Sequence, residues 1–135
     1  FTAHILGPQF QVARVDVESP GHPVAQGLPA TWEHEEEWYS WERSPRARGF
    51  NVLMTIDESS YSPIQNGPGF ERDLRMGDHP VVWTNCLGQG KTVYSALGHQ
   101  KEAFEAPQHL QLLQSALIWL IDSDQPCRKT DTALQ

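Results

Sequence analysis

The segment His79–His99, HPVVWTNCLGQGKTVYSALGH, constrains the fold more than any other part of this chain. Two apolar stretches, Pro80–Cys86 and Thr92–Leu97, flank Leu87-Gly88-Gln89-Gly90-Lys91. Glycines permit the positive φ that a tight reversal needs, so the spacing predicts a β-hairpin. Its second strand runs directly into Gly98-His99, which delivers an imidazole at a strand end beside a flexible residue. In open α/β sheets the C-terminal strand edge is where ligands and catalytic groups gather.

The remaining elements follow from periodicity. Phe10–Val17 alternates enough for a strand, and Asn51–Ile56 reads as a buried strand ending at Asp57-Glu58. Ser19–Pro23 is a turn-rich loop that leads into a short segment, Val24–Leu28, closed by Pro29. Ser59–Asp78 carries Pro63, Gly67, Pro68, Gly69 and Gly77 with few apolar anchors, and so reads as one long surface loop. Pro107 suits the first turn of a helix. Leu110, Leu113, Leu117, Leu120 and Ile121 then recur at helical spacing, and Ile118 and Trp119 widen the resulting apolar face. This helix is expected to lie buried against a sheet, with His109 exposed on it. Residues 1–123 form one domain, and residues 124–135 a polar tail that is expected to fray. Four or five strands and one helix fit either a mostly antiparallel α+β unit or part of a larger α/β domain. Phe1, with no cap or turn before it, favours the second.

Charge and composition exclude several classes of function. The formal net charge is −7, and the only basic cluster is Arg43, Arg46 and Arg48, which argues against a nucleic-acid partner. No apolar run reaches the roughly 18 residues of a membrane span. No leader peptide is recognisable, and the compartment is undetermined. Cys86 and Cys127 lack CxxC or zinc-ribbon spacing and are expected to be two free thiols rather than a disulfide.

The oddest composition is Trp32-Glu33-His34-Glu35-Glu36-Glu37-Trp38-Tyr39-Ser40-Trp41. Such a run can be a solvated edge, or it can bind a metal or supply acid–base groups. If it is extended, Glu35, Glu37 and Tyr39 share one face, and Glu36, Trp38 and Ser40 the other. A carboxylate would then sit beside a bulky aromatic, where burial raises its pKa. His99, with Glu102 three residues on, is either a general base with an orienting carboxylate, a metal ligand, or a loop histidine satisfied by backbone. His4 is a ligand or a strand-end residue, while His22 and His79 precede prolines and suit extended turn positions. No nucleophile stands out: Ser40 and Ser95 lie inside strands, and Cys86 has no helix start beside it. Gly88–Lys91 is too short for a phosphate loop. The five tryptophans suit core packing or sugar stacking.

In order along the chain stand Phe1-Thr2-Ala3-His4, His22-Pro23-Val24, Gly27-Leu28-Pro29, Glu36-Glu37-Trp38-Tyr39, Val52-Leu53 and Asp57-Glu58-Ser59 with Tyr61. Met76–Trp83, Gly88–Lys91, Tyr94–His99 and Ile118-Trp119 follow. This ordered set resembles the ThuA-like (trehalose utilisation) domain of the class I glutamine-amidotransferase-like superfamily. Glu36 stands where that family usually has Asp, and the family's first strands and helices have no counterpart before Phe1. The resemblance implies a flavodoxin-like, three-layer α/β domain, here an incomplete C-terminal portion with strands, a β-hairpin and one long helix. It implies a site built from His4, Glu37 and His99, with His99 and Glu37 catalytic and Tyr39, Trp38 and Trp41 binding substrate. Those three residues would suit a zinc-like divalent metal or acid–base chemistry on a disaccharide or keto-sugar. The implied partner is a small-molecule sugar, with self-association as a further expectation. A non-catalytic sugar-binding or protein-interaction module, using the tryptophans, is the alternative.

Overall fold

A computed structural model describes residues 3–88, 90–125 and 127. The strands are β1 (Ala3–His4), β2 (Gln11–Val17), β3 (Thr31–Glu36), β4 (Tyr39–Ser40), β5 (Asn51–Ile56), β6 (Ile64–Gly67), β7 (Phe70–Asp73), β8 (Pro80–Leu87) and β9 (Gly90–Ser95). The helix α1 (Pro107–Ile121) follows them. Five strands form the main sheet in the order β3-β2-β5-β8-β9, and two small sheets, β1-β4 and β6-β7, flank it.

Every pairing in these sheets is antiparallel. Parallel neighbours need a crossover, usually a helix between the strands, and the one α-helix among the described residues comes after the last strand. The described residues are therefore a mixed α/β unit with a largely antiparallel sheet. The parallel, flavodoxin-like layering implied by the resemblance is not seen among them.

The β8–β9 hairpin forms as its sequence predicts, with Leu87 opposite Gly90 and Gly88 at a φ of 61°. In the centre of the sheet, Val52, Leu53 and Met54 on β5 and Val81 and Val82 on β8 are buried in succession. Consecutive burial rather than alternation is the mark of strands covered on both faces. On β2 alternation holds: Ala13 and Val15 are buried and Val12 is exposed. The stretch between Ser59 and Asp78 is not structureless. It folds into the β6–β7 hairpin, with Gly67 opposite Phe70, and Leu74 then packs with Ala3 and Ile5 in a small second core.

The helix turns a different face to the sheet from the one its leucines predict. His109, Leu112, Ala116 and Trp119 are buried, whereas Leu110, Leu117, Ile118, Leu120 and Ile121 are exposed, Ile121 at 82%. Both stripes have helical spacing, because apolar residues surround most of the helix; they differ by about one residue, or 100°. His109 hides the buried stripe from a reading that counts histidine as polar. Its Nδ1 lies 2.9 Å from the carbonyl of Ala103, and its ring packs on Phe104 and His34.

Past α1 the chain returns to the hairpin tip. Lys91 Nζ donates to the Trp119 carbonyl at 2.7 Å and also to that of Asp122. This brings Cys127 to Cys86, and the two form a disulfide with a Cα–Cα distance of 5.6 Å, so the expected free thiols are absent. Cysteine spacing could not reveal the pairing, because it depends on where α1 ends. In the chain-entropy model a closed loop of 41 residues contributes about 4 kcal/mol. Most of the expected polar tail lies outside the described residues, as do Phe1, Thr2 and Gln89 of the family-like motifs.

The buried face of α1 yields a direct test by urea unfolding. Leu112→Ala is expected to lower stability by about 2–5 kcal/mol, as for a core truncation. Leu117→Ala is expected to stay within about 0.5 kcal/mol of wild type. The reverse ranking would restore the leucine face.

Candidate functional site

The site begins where the β3 alternation breaks. Along β3, Trp32, His34 and Glu36 point inward while Thr31, Glu33 and Glu35 point outward. The strand ends at Glu36, and the chain turns to start β4 at Tyr39, which pairs with β1 with His4 opposite Tyr39. That change of sheet buries two successive carboxylates, Glu36 at 0% and Glu37 at 3% exposure, and aims them at different partners.

Glu36 holds backbone. Its carboxylate accepts from the N–H of Glu37 at 2.9 Å, of Gly98 at 2.5 Å and of His99 at 3.2 Å. These bonds tie the exit of β9 to the end of β3. Gly98 is required there, since its φ is 110° and a Cβ would meet the Phe104 ring at 3.0 Å and His109 Cε1 at 3.2 Å. His34 lies beside Glu36 at 3.9 Å, and its own burial holds its pKa below the usual histidine range.

Glu37 holds side chains. Oε1 receives Gln9 Nε2 at 3.0 Å and His4 Nδ1 at 2.9 Å; Oε2 receives the Tyr39 hydroxyl at 2.5 Å and His99 Nδ1 at 2.9 Å. Burial pushes the Glu37 pKa up, but the bonds from Tyr39 and Gln9 and the nearby His4 and His99 outweigh it, and the net shift is downward. The expectation that burial beside an aromatic would leave a raised carboxylate is thus reversed by its donors. Tyr39 moves the other way: burial first, then its bond to Glu37, keeps the phenol protonated well above its ordinary range.

The network assigns the tautomer of His99. Its Nδ1 lies 2.9 Å from Glu37 Oε2 and 2.8 Å from the Tyr39 oxygen, whose proton is given to Glu37. Both neighbours accept, so Nδ1 carries the hydrogen and the neutral ring keeps its lone pair on Nε2. The ring is partly exposed and lines an open cleft of about 510 Å³ with His4, Glu37, Tyr39, Trp41 and Tyr94. A carboxylate-oriented imidazole at a cleft wall can act as a general base or acid.

Five of the six residues expected at the site therefore meet: His4, Glu37, Tyr39, Trp41 and His99. Trp38 does not reach the cleft; it is a core residue whose Nε1 donates to the Gln11 carbonyl at 2.8 Å. Glu102 does not orient His99; it is exposed beside Lys101, and Glu37 does the orienting. His22 occupies its expected extended position, capping the short turn Pro23–Ala25.

His79 is a residue that sequence reasoning missed. It is 1% exposed, with Nδ1 at 2.8 Å from Glu58 Oε1 and Nε2 at 2.9 Å from the Tyr39 carbonyl. Glu58 also accepts from the N–H groups of Met76 and Gly77, so it fixes the loop before β8. The signal available was a His-Pro step at the start of a buried strand, which reads equally well as a turn.

The proposed metal ligands do not fit a metal as placed. His4 and His99 each direct Nδ1 at a separate oxygen of Glu37, which is a hydrogen-bonded arrangement and not convergence on one point. Among the described residues no group of three or more His, Cys, Asp or Glu is disposed to hold an ion.

Because the Glu37 pKa is lower folded than unfolded, its contribution is present above the ordinary carboxylate pKa and lost as pH falls through the folded value. Glu37→Gln is expected to cost about 1–3 kcal/mol at neutral pH. Urea unfolding should show that the gap to wild type narrows below about pH 4. An equal gap at neutral and acid pH would contradict the assignment.

Comparison with known proteins gives the family. The sequence profile described as ThuA, trehalose utilisation, matches residues 1–120. A ThuA-like protein of Bacteroides uniformis superposes with a TM-score of 0.70 at 27% identity, over 93% of this chain and 49% of that one. A ThuA-like protein of Parabacteroides merdae gives 0.58 at 23% identity, over 94% and 43%, and supports the fold alone. The chain thus spans about half the length of the solved structures it matches. No curated protein matches it significantly. With a family profile matched over most of its length, the chain belongs to the ThuA (trehalose utilisation) family.

Proposed function

We propose that this chain acts in carbohydrate metabolism and carries an acid–base site for a sugar, with His99 Nε2 as the proton acceptor. The observation that carries this reading is the His99–Glu37–Tyr39 network, which opens onto a cleft walled by Trp41 and Tyr94. Family membership supports the sugar; the network supports the chemistry.

A disaccharide or its oxidised, keto form suits such a site. Carbon next to a ketone is acidic enough for an imidazole to remove its proton, and Tyr39, whose own hydrogen is given to Glu37, accepts from His99 Nδ1 and holds the ring in place. Glu37 orients the ring through Nδ1 and faces the positive charge formed when Nε2 takes the proton. Trp41 and Tyr94, which line the cleft, supply apolar aromatic surface of the kind on which sugar rings pack.

Incubating the protein with trehalose, other disaccharides and their keto derivatives, followed by NMR, tests this. At least one should be consumed, with His99→Ala and Glu37→Gln slowing turnover by about 10²–10⁴ while circular dichroism stays native. Undiminished turnover in both variants would overturn the reading. Sugar binding without turnover, surviving His99→Ala but lost in Trp41→Ala, would establish the binding-module alternative instead.

A further inference from the structure

On the far side of Trp41 lies a second cleft of about 290 Å³, lined by Trp41, Glu42, Arg43, Arg48, Phe50 and Trp83. Trp41 is a wall of both clefts. Tyr94 of the first and Trp83 of the second stack at 4.1 Å with their planes 14° apart, and Trp41 meets each edge-on at 5.6 Å and 5.4 Å. An unbroken aromatic strip therefore runs from the His99 cleft to the arginines.

Arg14, Arg46 and Arg75 are paired with carboxylates, whereas Arg72, on the exposed β7, is not and lies alone among the described residues. Arg43 and Arg48 are exposed and make no ion pair or hydrogen bond among the described residues, although the chain carries a net charge of −7. Glu42 also lines the cleft without pairing with either, so two guanidiniums face one carboxylate and the local balance is +1. Guanidinium groups left unpaired beside aromatic rings suit an anionic ligand group, because their planar forks match the oxygens of a phosphate or carboxylate.

Resting on the reading of the His99 cleft as a sugar site, we propose that Arg43 and Arg48 form a second subsite for an acidic group on the same saccharide. The preferred substrate is then an anionic disaccharide: one ring sits at His99, the aromatic strip carries the body, and a phosphate or carboxylate reaches the arginines. A neutral disaccharide fills the first cleft and leaves the second without its anion.

Quenching of tryptophan fluorescence at low salt tests this with three probes: trehalose, trehalose 6-phosphate and a disaccharide ending in glucuronate. At least one acidic probe should bind about ten-fold or more tightly than trehalose, and which one does so identifies phosphate or carboxylate. Because both arginines are exposed and unpaired, the double variant R43Q/R48Q keeps the fold; it should bring the acidic probe to the affinity of trehalose. Raised salt should shrink the preference in wild type only. Equal binding of all three probes, or a preference that survives R43Q/R48Q, would overturn the subsite. Glu37→Gln and His99→Ala should retain the preference. If turnover is also unaffected by those two changes, the acid–base reading fails while the subsite stands.

Discussion

Two neighbouring carboxylates that leave one strand end in opposite directions hold this structure's site together. Glu36 is committed to backbone N–H groups of residues 37, 98 and 99. Glu37 is committed to the side chains of Gln9, His4, Tyr39 and His99. A buried carboxylate is costly unless its oxygens are satisfied. Here that cost fixes geometry, because only the arrangement that brings β1, β4 and the β9 exit together supplies enough donors. The same bonds set the His99 tautomer, so packing and chemistry depend on one pair of residues.

Around that pair, the fold supplies support from two directions. On one side, α1 seals the sheet with Leu112, Ala116 and Trp119, and His109 packs against the Gly98 turn. On the other, His79, held by Glu58, bonds the carbonyl of Tyr39, while the β6–β7 segment delivers Gln65, whose Nε2 donates to the His4 carbonyl at 2.7 Å. Each catalytic candidate is thus held by backbone as well as by side chain. Positioning of this kind is what an acid–base site needs, since small misplacements are expensive in rate.

Much of this was legible in the sequence where a local pattern decides the outcome. The β8–β9 hairpin follows from its glycine turn and β5 from its apolar run; the strand alternation expected to carry through Glu37 and Tyr39 breaks at Glu36 instead. His4, Glu37 and His99 came together only through the ordered family motifs, since they lie in three separate segments and no local pattern links them. What stayed hidden depends on tertiary choice. The helix has apolar residues on nearly every side, so its buried face is decided by the fit of Ala116 and Trp119 to the sheet. His109 and His79 are buried because remote carbonyls and carboxylates meet them. The Cys86–Cys127 bond follows from the course of the chain after α1, and Trp38 was drawn into the core because β3 and β4 face different sheets.

The central claim is that Glu37 and Tyr39 hold His99 with its hydrogen on Nδ1 and its lone pair on Nε2. Nitrogen-15 NMR of the His99 side chain at neutral to mildly basic pH reads this directly. The account predicts a protonated Nδ1 and a pyridine-type Nε2 in the wild-type protein, with the two tautomers mixing in Glu37→Gln. A wild-type ring carrying its hydrogen on Nε2, or a tautomer balance unchanged by Glu37→Gln, would contradict it.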